Sequence, residues 1–424
     1  MGEYEIERMK PLVERFDRPD WVRRMNAMGD SVGGSVVGAR RLVPIEVDEL
    51  IETAAGSLEL DAAKVGDFGD PHWRRRLGAL VEGIDALEMN VVGRLMTRQE
   101  LLRALRTRFL LAREWDRDPD IAREPIEAPV IVTGPARSGT SILFELLWLD
   151  STLRGPLATE ALHPVPFSDE AARLAMSECE QEFWSDVAPE FAAIHELRSD
   201  LPVECVTLTT PSFCGSHWGM IGVASMEVDM VETYAFEKRL LQVLQHADEA
   251  RDVAPRNWLL KTPGHVMTID LVFETFPDAW VVMTHRDPAK TMPSTVSTTA
   301  IVQWMRMDSV DVPTLARMIG VAFSTALDSV SERRARGDLP ERFVDVHFQS
   351  LLKDPVETLR RAYDAMGRTF SREHEERIRH YLAEKPRGKF GVHRYTPEEW
   401  GFTQAEIRQN LAGYVEREGI ELES

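Results

Sequence analysis

A buried strand, a glycine loop and a helix follow one another without interruption at residues 129–149, and this unit constrains the fold more than any other feature. Residues 129–134 read PVIVTG, a short apolar run typical of a buried strand, and residues 138–149 read SGTSILFELLWL, which is typical of a helix. The alternation recurs in NWLLKTP with HVMTIDLVFETF, AWVVMTHRD with PAKTMPSTVSTTA, and ERFVDVHF with DPVETLRRAYDAMG. We therefore predict an α/β fold with a P-loop-like parallel sheet flanked by helices, whose ligands bind beyond the carboxyl ends of the strands.

The residues before this unit have a different pattern. Apolar residues recur there at helical spacing and strand signals are scarce, until the charged and proline-rich stretch DRDPDIAREPIEAP interrupts the pattern. We predict a mostly helical N-terminal region at residues 1–125 and an α/β domain with a C-terminal tail of helices and loops at residues 126–424. The N-terminal helices could cover an acceptor pocket or form the interface of a homo-oligomer, and the sequence leaves both roles open.

The charge of the chain excludes several kinds of partner. The 424 residues carry a formal net charge of -20, which disfavours protein-wide attraction to nucleic acid or anionic lipid, so an anion site must be built locally. The three cysteines are too scattered for a disulfide framework or a zinc site. The start of the chain shows no signal-peptide pattern, and no apolar run approaches the ~18 residues that span a bilayer. We expect a cytoplasmic protein without a membrane span.

The loop after the first strand has the outline of a phosphate-binding loop but lacks its usual lysine. Gly134 and Gly139 match the outer glycines of the Walker A pattern G-x-x-x-x-G-K-[ST], whereas Thr140 stands at the lysine position. A glycine turn at a helix N-terminus presents several backbone N–H groups to an anion. The loop therefore predicts an anion site that differs from the triphosphate site of ordinary ATPases.

The side chains of this loop suit a 5′-phosphosulfate. Arg137 offers a planar fork that can bind two oxygens, and Ser138, Thr140 and Ser141 add hydroxyl donors. A sulfuryl group carries less charge than a phosphoryl group during transfer, so it has less need of a metal ion. We predict that the loop from Gly134 to Ser141 holds the 5′-phosphosulfate and that no metal is required.

A second phosphate site is predicted after the strand AWVVMTH. Arg286 follows this strand directly, and Ser294 lies eight residues later on the next helix. Residues eight apart lie on roughly the same face of a helix, so the two side chains could bind one phosphate together. A nucleotide triphosphatase has no use for such a pair, whereas a 3′-phosphorylated adenylate does.

The two sites together resemble those of the PAPS-dependent sulfotransferases, where PAPS is 3′-phosphoadenosine 5′-phosphosulfate. The resemblance rests on GPARSGTSI for the 5′-phosphosulfate motif, on Arg286 and Ser294 for the 3′-phosphate motif, and on LLKTPGH and FQSLLKDPVETLRRAYDAMG around them. The tail GKFGVHRYTPEEWGFT is similar to bacterial members that carry a helical N-terminal extension. The resemblance implies PAPS as the donor and adenosine 3′,5′-bisphosphate as the product.

Two positions depart from the pattern of this family. Ile142 stands where the cytosolic animal members have a tryptophan that stacks on adenine. Phe348 takes the place of a tyrosine, and it could contact adenine or simply be a core aromatic residue at a strand end. The residue that holds adenine is therefore not identified by the sequence.

The resemblance also implies catalytic roles. Lys261 and Arg137 occupy positions whose cations stabilise the leaving phosphate. The proton acceptor has two candidates: Glu160, at about the distance from the loop at which some branches place a catalytic glutamate, and His265, which follows Lys261 as a histidine does in animal members. Both could act, one as base and one as orienting group.

A basic cluster late in the chain completes the expected site. Arg387, Lys389, His393 and Arg394 lie in a segment that, in the family, closes over the 3′-phosphate. A solvated loop is the alternative interpretation.

Together these features predict a sulfotransferase. It would move a sulfuryl group from PAPS to a hydroxyl of a small, lipophilic or glycosidic acceptor by metal-independent in-line displacement. The alternatives are a P-loop kinase or nucleotidase, against which the missing lysine argues, and a non-catalytic nucleotide-binding protein.

Overall fold

A parallel sheet forms the centre of the protein and confirms the predicted α/β fold. The computed structural model describes residues 12–166, 169–194, 196–384 and 396–423. Within them, five strands pair in the order β2-β3-β1-β4-β5, and all pairs are parallel. Their bounds are β1 Val130–Thr133, β2 Leu153–Arg154, β3 Asn257–Lys261, β4 Trp280–His285 and β5 Phe343–His347.

The central strands form because their apolar side chains are buried on both faces of the sheet. Val130, Ile131 and Val132 of β1 are completely buried, and the β-branched residues among them favour extended backbone. The register pairs Val132 with Lys261 of β3 on one side and with Val282 of β4 on the other. The carboxyl ends of β3, β1 and β4 therefore meet at one edge, which is where the predicted anion-binding residues follow the strands.

Helices precede the sheet and cover it. Those before β1 are Asp20–Ala27, Ser35–Leu42, Val47–Gly56, Trp73–Asp85 and Val91–Arg117. Those between β1 and β5 are Thr140–Trp148, Ala158–Leu162, Glu170–Val187, Cys205–Leu208, Ser216–Met220, Met230–Glu249, Ile269–Thr275, Pro288–Trp304 and Val312–Arg336. Those after β5 are Phe348–Lys353, Pro355–Ala365, Arg372–Glu384, Gln404–Asn410 and Ala412–Arg417. Short 3-10 helices are Leu12–Glu14, Gly29–Val32, Ala62–Lys64, Ile121–Arg123, Pro189–Ala193, Thr210–Ser212, Pro263–Thr268 and Glu398–Trp400.

The helices before β1 pack onto the α/β part of the chain. One continuous cluster of buried apolar side chains includes Leu50 and Leu105 from these helices together with Ile131 of β1. A fully buried ion pair between Arg306 and Glu100, with Nη2 and Oε1 2.7 Å apart, adds a polar link between the two parts. The predicted helical N-terminal region is therefore present and shares its core with the sheet.

No helix in the described ranges combines the length and the apolar character that crossing a lipid bilayer would require.

Candidate active site

The glycine loop after β1 has a backbone that ordinary residues rarely adopt. Gly134 has φ +130°, and an added Cβ would lie 2.5 Å from the backbone oxygen of Thr284 in β4. Gly139 has φ +95° and is the N-cap of the helix Thr140–Trp148, which we call the loop helix. Arg137 also lies in the left-handed region, with φ 66°. The turn lies beyond the carboxyl end of β1 and at the N-terminus of the loop helix, which is where an anion site is expected, although the N–H of Ser138 bonds the carbonyl of Pro135 at 3.1 Å within the loop.

Replacing Gly134 tests how much the stability of this loop depends on glycine having no side chain. We expect Gly134→Ala to lower the free energy of unfolding by about 3 kcal/mol, because strain at φ +130° is combined with overlap against the backbone of β4. Gly367 is a matched control, since it has φ +67° but no atom within 4 Å of an added Cβ. Urea denaturation should show a loss of only about 1 kcal/mol for Gly367→Ala. Equal losses at both glycines would contradict the packing explanation.

The loop hydroxyls do not all face the same way. Ser138 is completely buried, and its hydroxyl bonds the carbonyl of Pro135 and the hydroxyl of Thr284. Ser138 therefore stabilises the loop in this structure. Ser141, in the first turn of the loop helix, is exposed, and Thr140 beside it is 3% exposed. The side chain of Arg137 is exposed as well.

Lys261 connects the loop helix with a carboxylate that the sequence did not point to. Lys261 ends β3 and is 3% exposed, and its Nζ donates to Ser141 Oγ at 3.1 Å. The same ammonium forms a short ion pair with Glu204, whose other oxygen lies 3.5 Å from Thr262 Oγ1. Glu204 immediately precedes the helix Cys205–Leu208. A cation and an anion thus lie together beside the loop.

His265 lies in the same region, in a nearly closed environment. It is 3% exposed, and its Nδ1 is 2.6 Å from the hydroxyl of Tyr234, which also contacts Thr268. Burial lowers the pKa of His265 to about 4, although the nearby Glu204 carboxylate acts in the opposite direction. The imidazole is therefore neutral at pH 7. Its Nε2 is buried and has no hydrogen-bond partner among the described residues.

Glu160, the other predicted base, is held elsewhere by different charges. Its carboxylate accepts from Arg154 Nη2 at 2.8 Å and from the backbone N–H of Leu157 at 3.0 Å. Arg154 pairs in register with Trp258, three residues before Lys261 on β3, which is about 10 Å along a strand. In the described part of the chain, no hydrogen bond or ion pair joins Glu160 to Lys261. The structure brings His265, but not Glu160, into the group around Lys261.

Arg286 brings the two predicted anion sites together. Its Nη1 donates to the backbone oxygen of Arg137 at 2.8 Å, so the residue after β4 reaches the loop after β1. Its guanidinium also lies 4.0 Å from the ring centre of Phe348. Arg286 and Phe348 line a cavity of about 220 Å³. Phe348 therefore lies where an aromatic base beside both sites could contact it.

The guanidinium of Arg286 already binds a carboxylate. Its Nε and Nη2 donate to the two oxygens of Glu423 at 2.7 and 2.9 Å, which is the forked geometry that a phosphate would also accept. The backbone N–H of Glu423 donates to Asp287 Oδ2 at 2.8 Å, and Arg408 donates to its backbone oxygen at 2.6 Å. The C-terminal segment therefore places an anion at the predicted 3′-phosphate position.

Ser294 offers the second half of that predicted position. It is completely buried in the helix Pro288–Trp304, two turns after Arg286, and its hydroxyl has no hydrogen-bond partner among the described residues. Buried hydroxyls are normally bonded, so an unbonded one suits a ligand oxygen or a water. The predicted Arg387 and Lys389, with His393 and Arg394, lie outside the described residues.

One group within the described ranges has the composition of a metal site. His285, Asp345 and Glu418 place ligand atoms within 4.8 Å of one another. Arg334 already binds both oxygens of Asp345, at 2.8 and 2.7 Å, and Tyr414 lies 2.9 Å from His285 Nδ1. These contacts give the group a structural role, because they hold the helix Ala412–Arg417 against β4 and β5 and so position the segment that carries Glu423.

The match to a family model identifies the family of this fold. Residues 129–372, more than half of the chain, match the model described as the sulfotransferase family. The chain belongs to the sulfotransferase family. This confirms the resemblance predicted from the two anion-site motifs, and the matched range includes the loop after β1, Lys261, His265 and Arg286.

Solved structures of related sulfotransferases support the same conclusion. Sulfotransferase STF9 from Mycobacterium avium is 26% identical, with a TM-score of 0.75 over 89% of this chain and 97% of that chain. Sulfotransferase STF1 from Mycobacterium tuberculosis H37Rv is 25% identical, with a TM-score of 0.71 over 88% and 99%. The omega-hydroxy-beta-dihydromenaquinone-9 sulfotransferase Stf3 of Mycobacterium bovis is 25% identical over 320 residues, which is 70% of this chain and 76% of that protein. These relatives confirm a bacterial type of sulfotransferase.

Three residues of the site in this sulfotransferase were missed from the sequence. Glu204 and Tyr234 contact Lys261 and His265 from segments that carry no motif, and Glu423 reaches Arg286 from 137 residues away. Pairings this distant in sequence leave no local pattern. The resemblance pointed to Glu160 as the carboxylate of the site, and Glu204 could not be distinguished among 70 acidic residues without the fold.

Proposed function

We propose that this sulfotransferase uses PAPS as its donor and transfers the sulfuryl group to a hydroxyl of a small acceptor by in-line displacement without a metal. The observation that carries the proposal is the 2.8 Å bond from Arg286 to the backbone oxygen of Arg137. Arg286, the cation predicted for the 3′-phosphate, therefore lies next to the loop predicted for the 5′-phosphosulfate. This proximity is needed if a single mononucleotide carries both groups.

The 5′ end of the donor would lie on the loop helix. The positive end of the helix dipole favours an anion at this position, and Arg137, Thr140 and Ser141 would add charge and hydroxyl donors. Lys261 is anchored 3.1 Å from Ser141, so its ammonium can stabilise the negative charge that develops on the bridging oxygen. A local cation matters here because the protein as a whole carries a net charge of -20.

The 3′-phosphate would replace the carboxylate of Glu423 on Arg286, with the hydroxyl of Ser294 as a further donor. Phe348 lies over Arg286 and beside Gly139, where an added Cβ would meet its ring at 3.0 Å. This position between the two anion sites supports a contact of Phe348 with adenine. The predicted contribution of Arg387 and Lys389 stays a prediction.

Removing the carboxylate that occupies Arg286 should strengthen nucleotide binding. We expect Glu423→Gln to raise the affinity for adenosine 3′,5′-bisphosphate about 5-fold, because a partly exposed ion pair worth about 1 kcal/mol no longer competes. Glu421→Gln is the control, since it removes the same charge from an exposed residue nearby that does not bond Arg286. Isothermal titration calorimetry measures both affinities. An equal gain in the two variants would mean that net charge, and not displacement, explains the effect.

The acceptor is expected to be a small molecule with a hydroxyl group. The name of Stf3 describes an acceptor with an omega-hydroxy group, which supports a hydroxyl as the reacting group. Proton removal from that hydroxyl requires a base beside Lys261. Of the two bases predicted from the sequence, His265 lies in this region, whereas Glu160 is bonded to Arg154 and Leu157.

A direct test compares donors. Calorimetry should show tighter binding of adenosine 3′,5′-bisphosphate than of ATP, and radiolabelled PAPS should lose its sulfuryl group in the presence of the protein without magnesium. Magnesium-dependent ATP turnover would instead indicate a kinase or nucleotidase. Binding of the bisphosphate with no consumption of PAPS would indicate a non-catalytic nucleotide-binding protein.

A further inference from the structure

The carboxylate of Glu204 lies at the centre of the group around Lys261. We propose that Glu204 is the catalytic base that removes the proton from the acceptor hydroxyl, an inference that rests on the sulfuryl transfer proposed above. Neither sequence-predicted base occupies this position, and Glu204 belongs to no motif that the sequence displays.

Contacts with the loop helix place Glu204 beside the reacting group. Lys261 bonds Ser141 in the first turn of the loop helix and at the same time forms the ion pair with Glu204. One ammonium thus spans the distance between the proposed sulfuryl position and the carboxylate. An acceptor oxygen that attacks sulfur at this helix N-terminus therefore comes within the reach of Glu204, as a general base requires.

The side chain of Glu204 is more exposed to solvent than the groups around it. Its side chain is 21% exposed, whereas that of Lys261 is 4% exposed and His265 is buried. An acceptor from solution can therefore approach the carboxylate without rearrangement of the core. Glu160 is less suitable, because its carboxylate is bonded to Arg154 and to the backbone of Leu157, and among the described residues no hydrogen bond or ion pair joins it to Lys261.

His265 acts in this scheme as a positioning residue. Tyr234 holds its Nδ1 at 2.6 Å, and the neutral imidazole lies near the carboxylate of Glu204. Its unbonded Nε2 can make a hydrogen bond to the carboxylate or to the acceptor oxygen. This arrangement would orient the groups that react with each other without adding a charge to the site.

The reaction balances with these groups alone. The acceptor oxygen forms a new bond to sulfur as its proton passes to a carboxylate oxygen of Glu204. The bond between sulfur and the bridging oxygen breaks, and its electron pair stays on the 5′-phosphate of the leaving bisphosphate. The ammonium of Lys261 offsets that charge, and the proton on Glu204 then passes to solvent.

The test uses acceptors that differ in their need for a base. Water serves as one acceptor, so that slow hydrolysis of radiolabelled PAPS is measured, and 4-nitrophenol serves as the other, because it is already ionised at slightly alkaline pH. We expect Glu204→Gln to lower kcat for hydrolysis about 100-fold and to change transfer to 4-nitrophenolate little. The affinity of Glu204→Gln for adenosine 3′,5′-bisphosphate should equal that of the wild-type protein. Glu204→Asp, which keeps a carboxylate, should retain part of the hydrolysis.

Two further variants make the result decisive. Glu341→Gln removes an exposed carboxylate far along the chain and serves as the control with normal activity, and Glu160→Gln tests the rival base. The proposal is overturned if Glu204→Gln keeps full hydrolysis, if it lowers transfer to both acceptors equally, or if Glu160→Gln shows the acceptor-dependent loss instead. Those results leave sulfuryl transfer intact. Failure of the wild-type protein to consume PAPS would overturn both the proposed function and this inference.

Discussion

Replacing Lys261 by methionine should reduce turnover of PAPS about 100- to 1,000-fold, which is the usual cost of removing a group that stabilises developing oxyanion charge. Methionine keeps the length and the apolar stem of lysine, so the buried position at the end of β3 stays filled. Binding of adenosine 3′,5′-bisphosphate should weaken much less, because the loop amides, Arg137 and Arg286 remain. The measurement is kcat with radiolabelled PAPS beside calorimetry with the bisphosphate.

An exposed lysine, in contrast to the buried Lys261, controls for the loss of one charge. Lys353 is exposed at the end of the helix Phe348–Lys353, and Lys353→Met should leave kcat unchanged. Lys261→Arg should recover part of the activity, since its charge can still reach Ser141 and Glu204. If Lys261→Met weakened bisphosphate binding as strongly as it lowered kcat, the lysine would serve binding in general and not the transition state.

Replacing Arg286 by alanine should lower the affinity for adenosine 3′,5′-bisphosphate about 100-fold. The guanidinium can donate two charge-assisted hydrogen bonds to the 3′-phosphate in the same forked geometry that now binds Glu423. Each such bond contributes about 1.5 kcal/mol or more, and a factor of ten in affinity corresponds to about 1.4 kcal/mol.

Adenosine 5′-phosphate provides the control ligand because it lacks the 3′-phosphate. Its affinity should be nearly the same for the wild-type protein and for Arg286→Ala. Arg342→Ala, at an exposed residue that bonds the carbonyl of Pro277, controls for the loss of one positive charge. A similar loss for both nucleotides would show that Arg286 supports the loop through its bond to Arg137 and does not recognise the 3′-phosphate.

The sequence predicts the sheet well because its signals are local. The apolar runs of β1, β3 and β4 are largely buried as expected, whereas in β5 only Val344 and Val346 are buried. The predicted helices follow, except that the one after β3 starts as the 3-10 helix Pro263–Thr268 and that Phe348, predicted at a strand end, begins an additional helix, Phe348–Lys353. β2 was not predicted, since Leu153–Arg154 is only two residues long and carries no periodicity. Its place at the edge of the sheet depends on pairing with the start of β3.

The anion sites were predictable for the same reason, whereas their surroundings were not. Gly134 and Arg286 stand directly after strands and Lys261 is the last residue of β3, so topology alone brings them to one edge of the sheet. Glu204 and Glu423 reach this edge from other segments, and their contacts depend on how long loops return to the sheet. Ser138 illustrates a further limit, because the sequence shows a hydroxyl in the loop but not that it points inward to Thr284.

A crystal structure with adenosine 3′,5′-bisphosphate tests the central claim most directly. A single bisphosphate should place its 5′-phosphate on the amides between Gly134 and Ser141 and its 3′-phosphate on Arg286, with Glu423 displaced from the guanidinium. A structure in which Glu423 still binds Arg286 while the nucleotide lies with neither phosphate on this residue would contradict the claim that one donor spans both sites.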